Sequence, residues 1–537
     1  VDVEGTQTGL SAHARQASAE AEQLTLPELD LSASRTQLVP TRSRRIYCNR
    51  SIRLDQIDWI GFDMDYTLAI YDQPRMDKLT IDAALDKLIA RGYPESLRSL
   101  ELDVNYPVRG LLIDAKLGNV VKMDRYKYVK RAYHGLRELS LDERREHYHS
   151  KQIRPKRNAR YHFIDTLYAL SEVTMFAAGV QHLEGLSRSL DYAKWFADIR
   201  ECVDLSHQDG TILNHIMARP EDFIVRDPEL PTTLHKLRSA GKKLFLLTNS
   251  QPAYTAQIMA FLLEETLPEY KSWKQFFDIV ITASKKPRFF SEEDIPLVLD
   301  PINVRNGSGN GGSGSGSGGS NGNGKNGHGA SDGSGKPVKR LERGKIYTGG
   351  CLEELSRLAG MQGDRVLYVG DHIYGDVLRA KKHSPWRTAM IIQELELELA
   401  GVKESADLAD RWDRLEEARQ ALSDELRFNQ ASLKELMRDA QDDPATDAGR
   451  VRFKRRIERT RGRMRAVETE CVELERRIEA QFHPYWGPLL KAGSEASSFG
   501  HQVETYACLY TGRVSNLLGY SPMHYFRSPR DRLPHEL

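Results

Sequence analysis

Ile57-Asp58-Trp59-Ile60-Gly61-Phe62-Asp63-Met64-Asp65-Tyr66-Thr67 is the stretch whose reading decides the fold. A largely apolar run ends abruptly in two carboxylates set two positions apart. Successive side chains on a strand point to opposite faces, so Asp63 and Asp65 can turn toward one ligand where the strand stops. Three later runs have the same character: Lys243-Leu244-Phe245-Leu246-Leu247, Phe277-Asp278-Ile279-Val280-Ile281 and Arg365-Val366-Leu367-Tyr368-Val369. Each is short, largely apolar on both faces and closed by a turn or polar cluster, the pattern of central strands in a parallel sheet. Helical patterns such as Tyr254–Leu263 and Cys351–Leu358 lie between them. The expected fold class is α/β, a doubly wound parallel sheet.

Ligands of such a sheet sit beyond the carboxyl ends of its strands, where strand order reverses. The residues there are Asp63 and Asp65, then Thr248-Asn249-Ser250, then Lys285-Lys286-Pro287, then Gly370-Asp371-His372-Ile373-Tyr374-Gly375-Asp376. Taken singly, each is ordinary: Asp-x-Asp or Thr-Asn-Ser caps helices and turns, and paired lysines are usually solvated. Their appearance in order, each at a strand end, points to a phosphate site. Asp63, Asp371 and Asp376 can hold one hard cation, for which oxygen donors favour Mg²⁺. Asp63 would attack phosphorus in line, and Asp65 would protonate the leaving oxygen and later deprotonate water. Thr248, Asn249 and a lysine, Lys286 before Lys285, would hold the non-bridging oxygens.

The order DxDxT, T-N, K-P, GDxxxGD resembles the haloacid dehalogenase superfamily of phosphohydrolases. More narrowly, Phe62–Ala69, Leu247–Ser250 and Gly370–Asp376 resemble the cytosolic purine 5′-nucleotidase family. The likeness continues through Arg160-Tyr161-His162-Phe163, Lys286–Phe290, Trp386-Arg387-Thr388 and the segment from Trp486 to Leu537, and covers most of the chain from Ile46. It implies Mg²⁺-dependent hydrolysis of nucleoside 5′-monophosphates, IMP and GMP preferred, with phosphate transfer to nucleosides from an aspartyl-phosphate. It implies Asp63 as nucleophile, Asp65 as acid/base with its carbonyl on the metal, Thr248, Asn249 and Lys286 as phosphate ligands, and Asp371 and Asp376 around Mg²⁺. In the insertion, Tyr168, Arg200, Asp204 and His207 fall at substrate positions of the family. On spacing alone, Arg200 and Asp204 read as a surface ion pair on a helix. The chain departs from the animal enzymes where Tyr168-Ala169 replaces Phe-Asn and Leu213 replaces a lysine, which removes polar groups that discriminate base edges. Of the family's regulatory nucleotide site, Gln502, Tyr506 and Lys382 are kept, with Thr505 in place of arginine.

The 537 residues, 40% of them hydrophobic, allow about three domains with real cores. The expected organisation is a polar tail over 1–45, a catalytic core over 46–75 and 236–400, an inserted cap over 76–235, a helical hairpin over 401–485 and a closing segment over 486–537. The cap would exclude water and read the rest of the substrate. Residues 306–335, almost wholly Gly, Ser and Asn, read as a flexible insertion. Within them Gly319-x-x-x-x-Gly324-Lys325 mimics a P-loop, but Asn326 stands where Ser or Thr is required. A net charge of +1 favours neither a nucleic-acid nor a membrane-surface protein. Five scattered cysteines without a CxxC pair argue against disulfides and zinc, and together with the lack of a leader or long apolar run they suggest a cytoplasmic protein.

From Glu404 to Phe482 apolar residues recur at helical spacing, with a break at Asp442-Asp443-Pro444. The second helix is densely basic between Arg450 and Arg465, opposed only by Glu458. A solvated or subunit-pairing face fits this better than a nucleic-acid contact. The expectation is therefore an oligomeric nucleotide phosphatase. The alternatives are a phosphatase for another small phosphomonoester and a non-catalytic scaffold binding RNA or protein through the hairpin.

Overall fold

The computed structural model describes residues 40–100, 102–149, 152–153, 160–186, 190–301, 337–438, 444–531 and 533–536. Nearly all of the expected tail, the Gly-rich insertion with its P-loop mimic, and Asp442-Asp443 lie outside these. Residues 1–42 and 43–537 are separate units. The main strands of the second unit are β1 (Tyr47–Cys48), β2 (Trp59–Phe62), β3 (Leu111–Asp114), β4 (Asn119–Met123), β5 (Val129–His134), β6 (Arg137–Glu138), β7 (Tyr161–Ile164), β8 (Lys243–Leu247), β9 (Ile279–Thr282), β10 (Leu297–Leu299), β11 (Ile346–Gly349), β12 (Val366–Gly370), β13 (Arg387–Ile391) and β14 (Leu509–Thr511).

Nine of them form one sheet in the order β1-β14-β13-β12-β2-β8-β9-β11-β10. The pairings from β14 to β11 are parallel, and the edge strands β1 and β10 run antiparallel. The four expected strands fall at its centre, with small shifts at their starts. β2 begins at Trp59 because Ile57 closes the short turn Leu54–Gln56 and Asp58 pairs with Arg365. β9 begins at Ile279 because the Asp278 carboxylate accepts from the Leu244 amide and from Arg238. The registers place Phe62, Leu246 and Val369 side by side, so Asp63, Leu247-Thr248 and Gly370-Asp371 emerge together at one edge. Strand order reverses at β2, with β8 and β9 to one side and β12 and β13 to the other.

Gly61 shows how tightly this centre is packed. A Cβ there would meet the Phe245 ring at 2.1 Å, and Phe245 stacks on Tyr368 with centroids 6.2 Å apart. Gly61→Ala is expected to cost about 3 kcal/mol or more in urea unfolding, with an unchanged denaturant slope. A loss under about 0.5 kcal/mol would show that the ring layer can yield.

After β2 the chain leaves the sheet and returns at β8, and the ends of the excursion are clasped by an antiparallel pair, Ile70–Tyr71 with Ile224–Val225. Between them lie α1 (Gln73–Ala90), α2 (Leu170–Leu186), α3 (Tyr192–Gln208), α4 (Thr211–Ala218) and an antiparallel sheet ordered β6-β5-β4-β3-β7. The Asp72 carboxylate caps α1 by accepting from the Arg75 amide, with Pro74 in the first turn, and Asp191 caps α3 in the same way. Phe176, Trp195, Phe196 and Ile199 fill the space between these helices and share one core with Phe62 and Leu246. After β8, α5 (Pro252–Leu263) adds Ile258, Met259, Leu262 and Leu263 to the same core. Further on, α6 (Ala406–Arg438) and α7 (Pro444–Glu479) form the hairpin. Leu422, Ile457, Cys471 and Leu474 are buried along its seam, as the helical spacing requires. Among the described residues no helix is long and apolar enough to cross a membrane.

Candidate active site

The Asp63 amide continues the β2 ladder by donating to the Val369 carbonyl at 2.9 Å, which fixes the first carboxylate where pairing ends. The turn beyond it puts Tyr66 at φ 57°, a left-handed conformation that non-glycine residues enter only when their surroundings hold them. Gly370 ends β12 because a Cβ there would meet the Asp376 carboxylate at 2.5 Å. The absence of that atom lets Asp376 fold back against its own strand.

Asp63, Asp371 and Asp376 bring one carboxylate oxygen each within 4.8 Å of the others. Lys286 Nζ stands among them, donating to Asp63 at 2.8 Å and to Asp376 Oδ1 at 2.7 Å. It also donates to the Tyr368 hydroxyl at 3.0 Å, which in turn donates to the Leu247 carbonyl at 3.1 Å. Burial pulls the Lys286 ammonium down, but Asp376 and Asp63 more than offset this and hold it charged. Burial pushes Asp63 well up despite Lys286, and pushes Asp371 up to about 7, with Asp376 adding to the effect. So many desolvated carboxylates against one lysine leave a surplus of negative charge. Oxygen donors with that surplus fit a divalent hard cation.

The Asp65 carboxylate belongs to a different network and is not part of this triad. Its Oδ1 accepts from the Tyr71 hydroxyl at 2.6 Å and its Oδ2 from the Ser250 hydroxyl at 2.5 Å. Tyr71 lies 2.8 Å from the Tyr254 hydroxyl. Burial raises the Asp65 carboxyl above the usual carboxylate range, opposed by the Ser250 and Tyr71 hydrogen bonds. A proton therefore stays on this group at a higher pH than on an exposed aspartate.

Thr248 is buried, and its hydroxyl accepts from the Ser250 amide at 3.1 Å. The Asn249 side chain receives the Lys286 amide at 2.6 Å and the Ser284 hydroxyl at 3.1 Å, and donates to the Lys286 carbonyl at 3.0 Å. The Thr248 side chain thus steadies the turn after β8, and the Asn249 side chain, which also lines the cavity beside Asp63, braces the loop that carries Lys286.

A cavity of about 450 Å³ opens from Asp63, Asp65 and Asp371 toward the insertion. Its far wall is Tyr168, His207, Leu213 and Ile216, with Tyr254 and Met76 alongside. Tyr168 and His207 lie with ring centroids 4.2 Å apart. Both His207 ring nitrogens are buried without a hydrogen-bond partner, and burial pushes the imidazole down to about 4, so it is neutral. Arg200 and Asp204 are exposed on α3 and do not line the cavity, and Arg200 reaches Glu172 at 3.6 Å. Sequence reasoning missed Tyr71, Tyr254, Tyr368 and Arg109. Arg109 is fully buried, donates to the Asp371 carbonyl at 2.9 Å and pairs through two nitrogens with Glu394. None of these residues carries a motif, and only their place in the fold gives them a role.

Such a sheet, with acids and a lysine gathered at the central strand ends, defines an α/β enzyme whose chemistry sits at the point of strand reversal. A model of the 5′ nucleotidase family matches residues 46–537. The chain belongs to that family and is a hydrolase of the 5′-nucleotidase kind. It is 27% identical over 506 residues to a 5′-nucleotidase domain-containing protein of Dictyostelium discoideum, covering 93% of this chain and 76% of that one. It is 28% identical over 504 residues to 5′-nucleotidase domain-containing protein 2 of Rattus norvegicus, covering 91% and 80%.

Proposed function

We propose that this chain hydrolyses nucleoside 5′-monophosphates, IMP and GMP before others, through an aspartyl-phosphate on Asp63 in a haloacid dehalogenase-like core. The observation that carries the reading is the Asp63–Lys286 contact at the end of the central strand, beside a cavity whose far wall carries the rings of Tyr168 and His207. An Asp63 oxygen attacks phosphorus, the bond to the nucleoside 5′-oxygen breaks, and Asp65 gives that oxygen its proton. Asp65 then takes a proton from water as the water oxygen attacks phosphorus, which releases phosphate and restores Asp63. A nucleoside hydroxyl in place of water gives phosphotransfer. Lys286, Thr248 and Asn249 bind the non-bridging oxygens and stabilise the charge on them, with Asn249 also bracing the loop that carries Lys286. Asp63, Asp371, Asp376 and the Asp65 carbonyl would hold Mg²⁺, which would supply Lewis-acid neutralisation of the phosphoryl group.

The insertion acts as the cap. Tyr168, 40% exposed in this structure, offers a stacking face, and neutral His207 offers one donor and one acceptor to a base. Arg200 and Asp204, which fall at substrate positions of the family, would reach the sugar from the exposed face of α3. Five free cysteines suit a reducing, cytoplasmic setting.

The test is phosphate release with Mg²⁺ from IMP, GMP, AMP, UMP, CMP and several sugar phosphates. IMP and GMP are expected to lead, and Tyr168→Ala to raise their KM about tenfold with kcat little changed. Release only from sugar phosphates would keep the chemistry and discard the base. Release from none would discard both.

A further inference from the structure

Helix α7 has two faces. Ile457, Thr460, Cys471 and Leu474 are buried toward α6, whereas Asp447, Val451, Arg455, Glu458, Gly462, Arg465, Glu468, Val472 and Arg476 are exposed. Val451, Glu458, Arg465 and Val472 recur every seven residues, so they share one stripe of the outward face. Read from the other end, the stripe is Val, Arg, Glu, Val. An antiparallel copy therefore sets valine against valine and glutamate against arginine at every step. The flanking residues obey the same symmetry. Four positions inward of the two valines stand Arg455 and Glu468, and four positions outward stand Asp447 and Arg476, so each meets its opposite charge.

We propose that α7 is a subunit interface, pairing antiparallel with α7 of a second copy about a two-fold axis between Arg461 and Gly462. Isologous pairing demands such self-complementarity, since each contact occurs twice. Three features of the monomer that otherwise lack a reason are explained. Val451 and Val472 are 49% and 66% exposed although α7 has a buried seam on its other side. Gly462 sits in mid-helix, where glycine costs about 1 kcal/mol relative to alanine, yet a Cβ there would meet nothing within 4 Å. Its use is to let two helices cross closely at the axis. Among the described residues, Arg455 and Arg465 have no ion-pair partner in their own chain. The stripe from Asp447 to Arg476 runs about 44 Å at 1.5 Å per residue, long enough for a stable pairing.

A charge swap tests this on the full chain by light scattering at physiological salt, with circular dichroism to confirm folding. Glu458→Arg alone sets two arginines face to face, and Arg465→Glu alone sets two glutamates. Each single variant is expected to halve the particle mass of the unmodified protein. The double variant Glu458→Arg/Arg465→Glu restores opposite charges and is expected to restore the mass. Equal mass in all four proteins would overturn the proposal, as would an unmodified protein of 61.0 kDa in solution. Salt-sensitive retention of an RNA oligonucleotide by that monomer, lost in Arg465→Glu, would give the basic stretch to nucleic acid instead.

Discussion

Asp63→Asn is expected to release phosphate at least about 10⁴-fold more slowly than the unmodified protein from its best substrate, while unfolding at nearly the same urea concentration. The amide occupies the same space and still accepts the Met64 amide, which Asp63 Oδ1 receives at 2.8 Å. What it lacks is a carboxylate oxygen able to form and release a bond to phosphorus. Removing the charge also removes one of the acids that burial penalises, so stability should hold or rise slightly. Substrate binding, measured by isothermal titration with the variant, should persist. Near-normal turnover would remove Asp63 as nucleophile and move the chemistry to a water activated elsewhere.

Lys286→Met is the second large effect, and it should strike both activity and stability. The ammonium is buried between Asp63 and Asp376, so its loss leaves two desolvated carboxylates facing each other across a gap. Breaking a buried pair from one side costs about 3–5 kcal/mol, to be read by urea unfolding in the presence of a chelator. Loss of a preorganised donor to the phosphoryl oxygens costs a further 10²–10³-fold in kcat, about the effect of deleting one such donor elsewhere. A variant as stable as the parent but slow would make Lys286 catalytic only. One that is unstable but fast at saturating Mg²⁺ would make it a structural counter-ion only.

The central sheet was legible because its strands are short apolar runs that stop at polar residues, and Asp63, Lys286, Asp371 and Asp376 were legible because each sits just past such a stop. Their convergence on one point follows from strand order, which the spacing of runs implies only in outline. The hydroxyls around Asp65 could not be read. Ser250 meets it across 185 positions and Tyr71 meets Tyr254 across 183, and neither tyrosine stands in a recurrent pattern. Thr248 and Asn249 fell at the expected place beyond β8, but the bonds from Ser250 to Thr248 and between Asn249 and the Lys286 backbone depend on rotamers that the motif does not reveal. Arg200 and Asp204 do sit on an exposed helix face, as their spacing suggested, but Arg200 turns to Glu172 and not to Asp204. The stripe on α7 was visible as a basic stretch. Its symmetry emerges only once the structure shows which residues face outward.

Arg109 belongs to the inserted segment, and its guanidinium ends on the carbonyl of Asp371, 262 positions later, beneath the ring of Phe499 at 5.1 Å. Three separately encoded parts of the chain are thereby stitched through one side chain. A gene trimmed to the sheet and its covering helices would lose the donor that caps the Asp371 loop. Recombination that swaps this insertion for another would have to bring an equivalent arginine with it, or leave the Asp371 carbonyl without its donor.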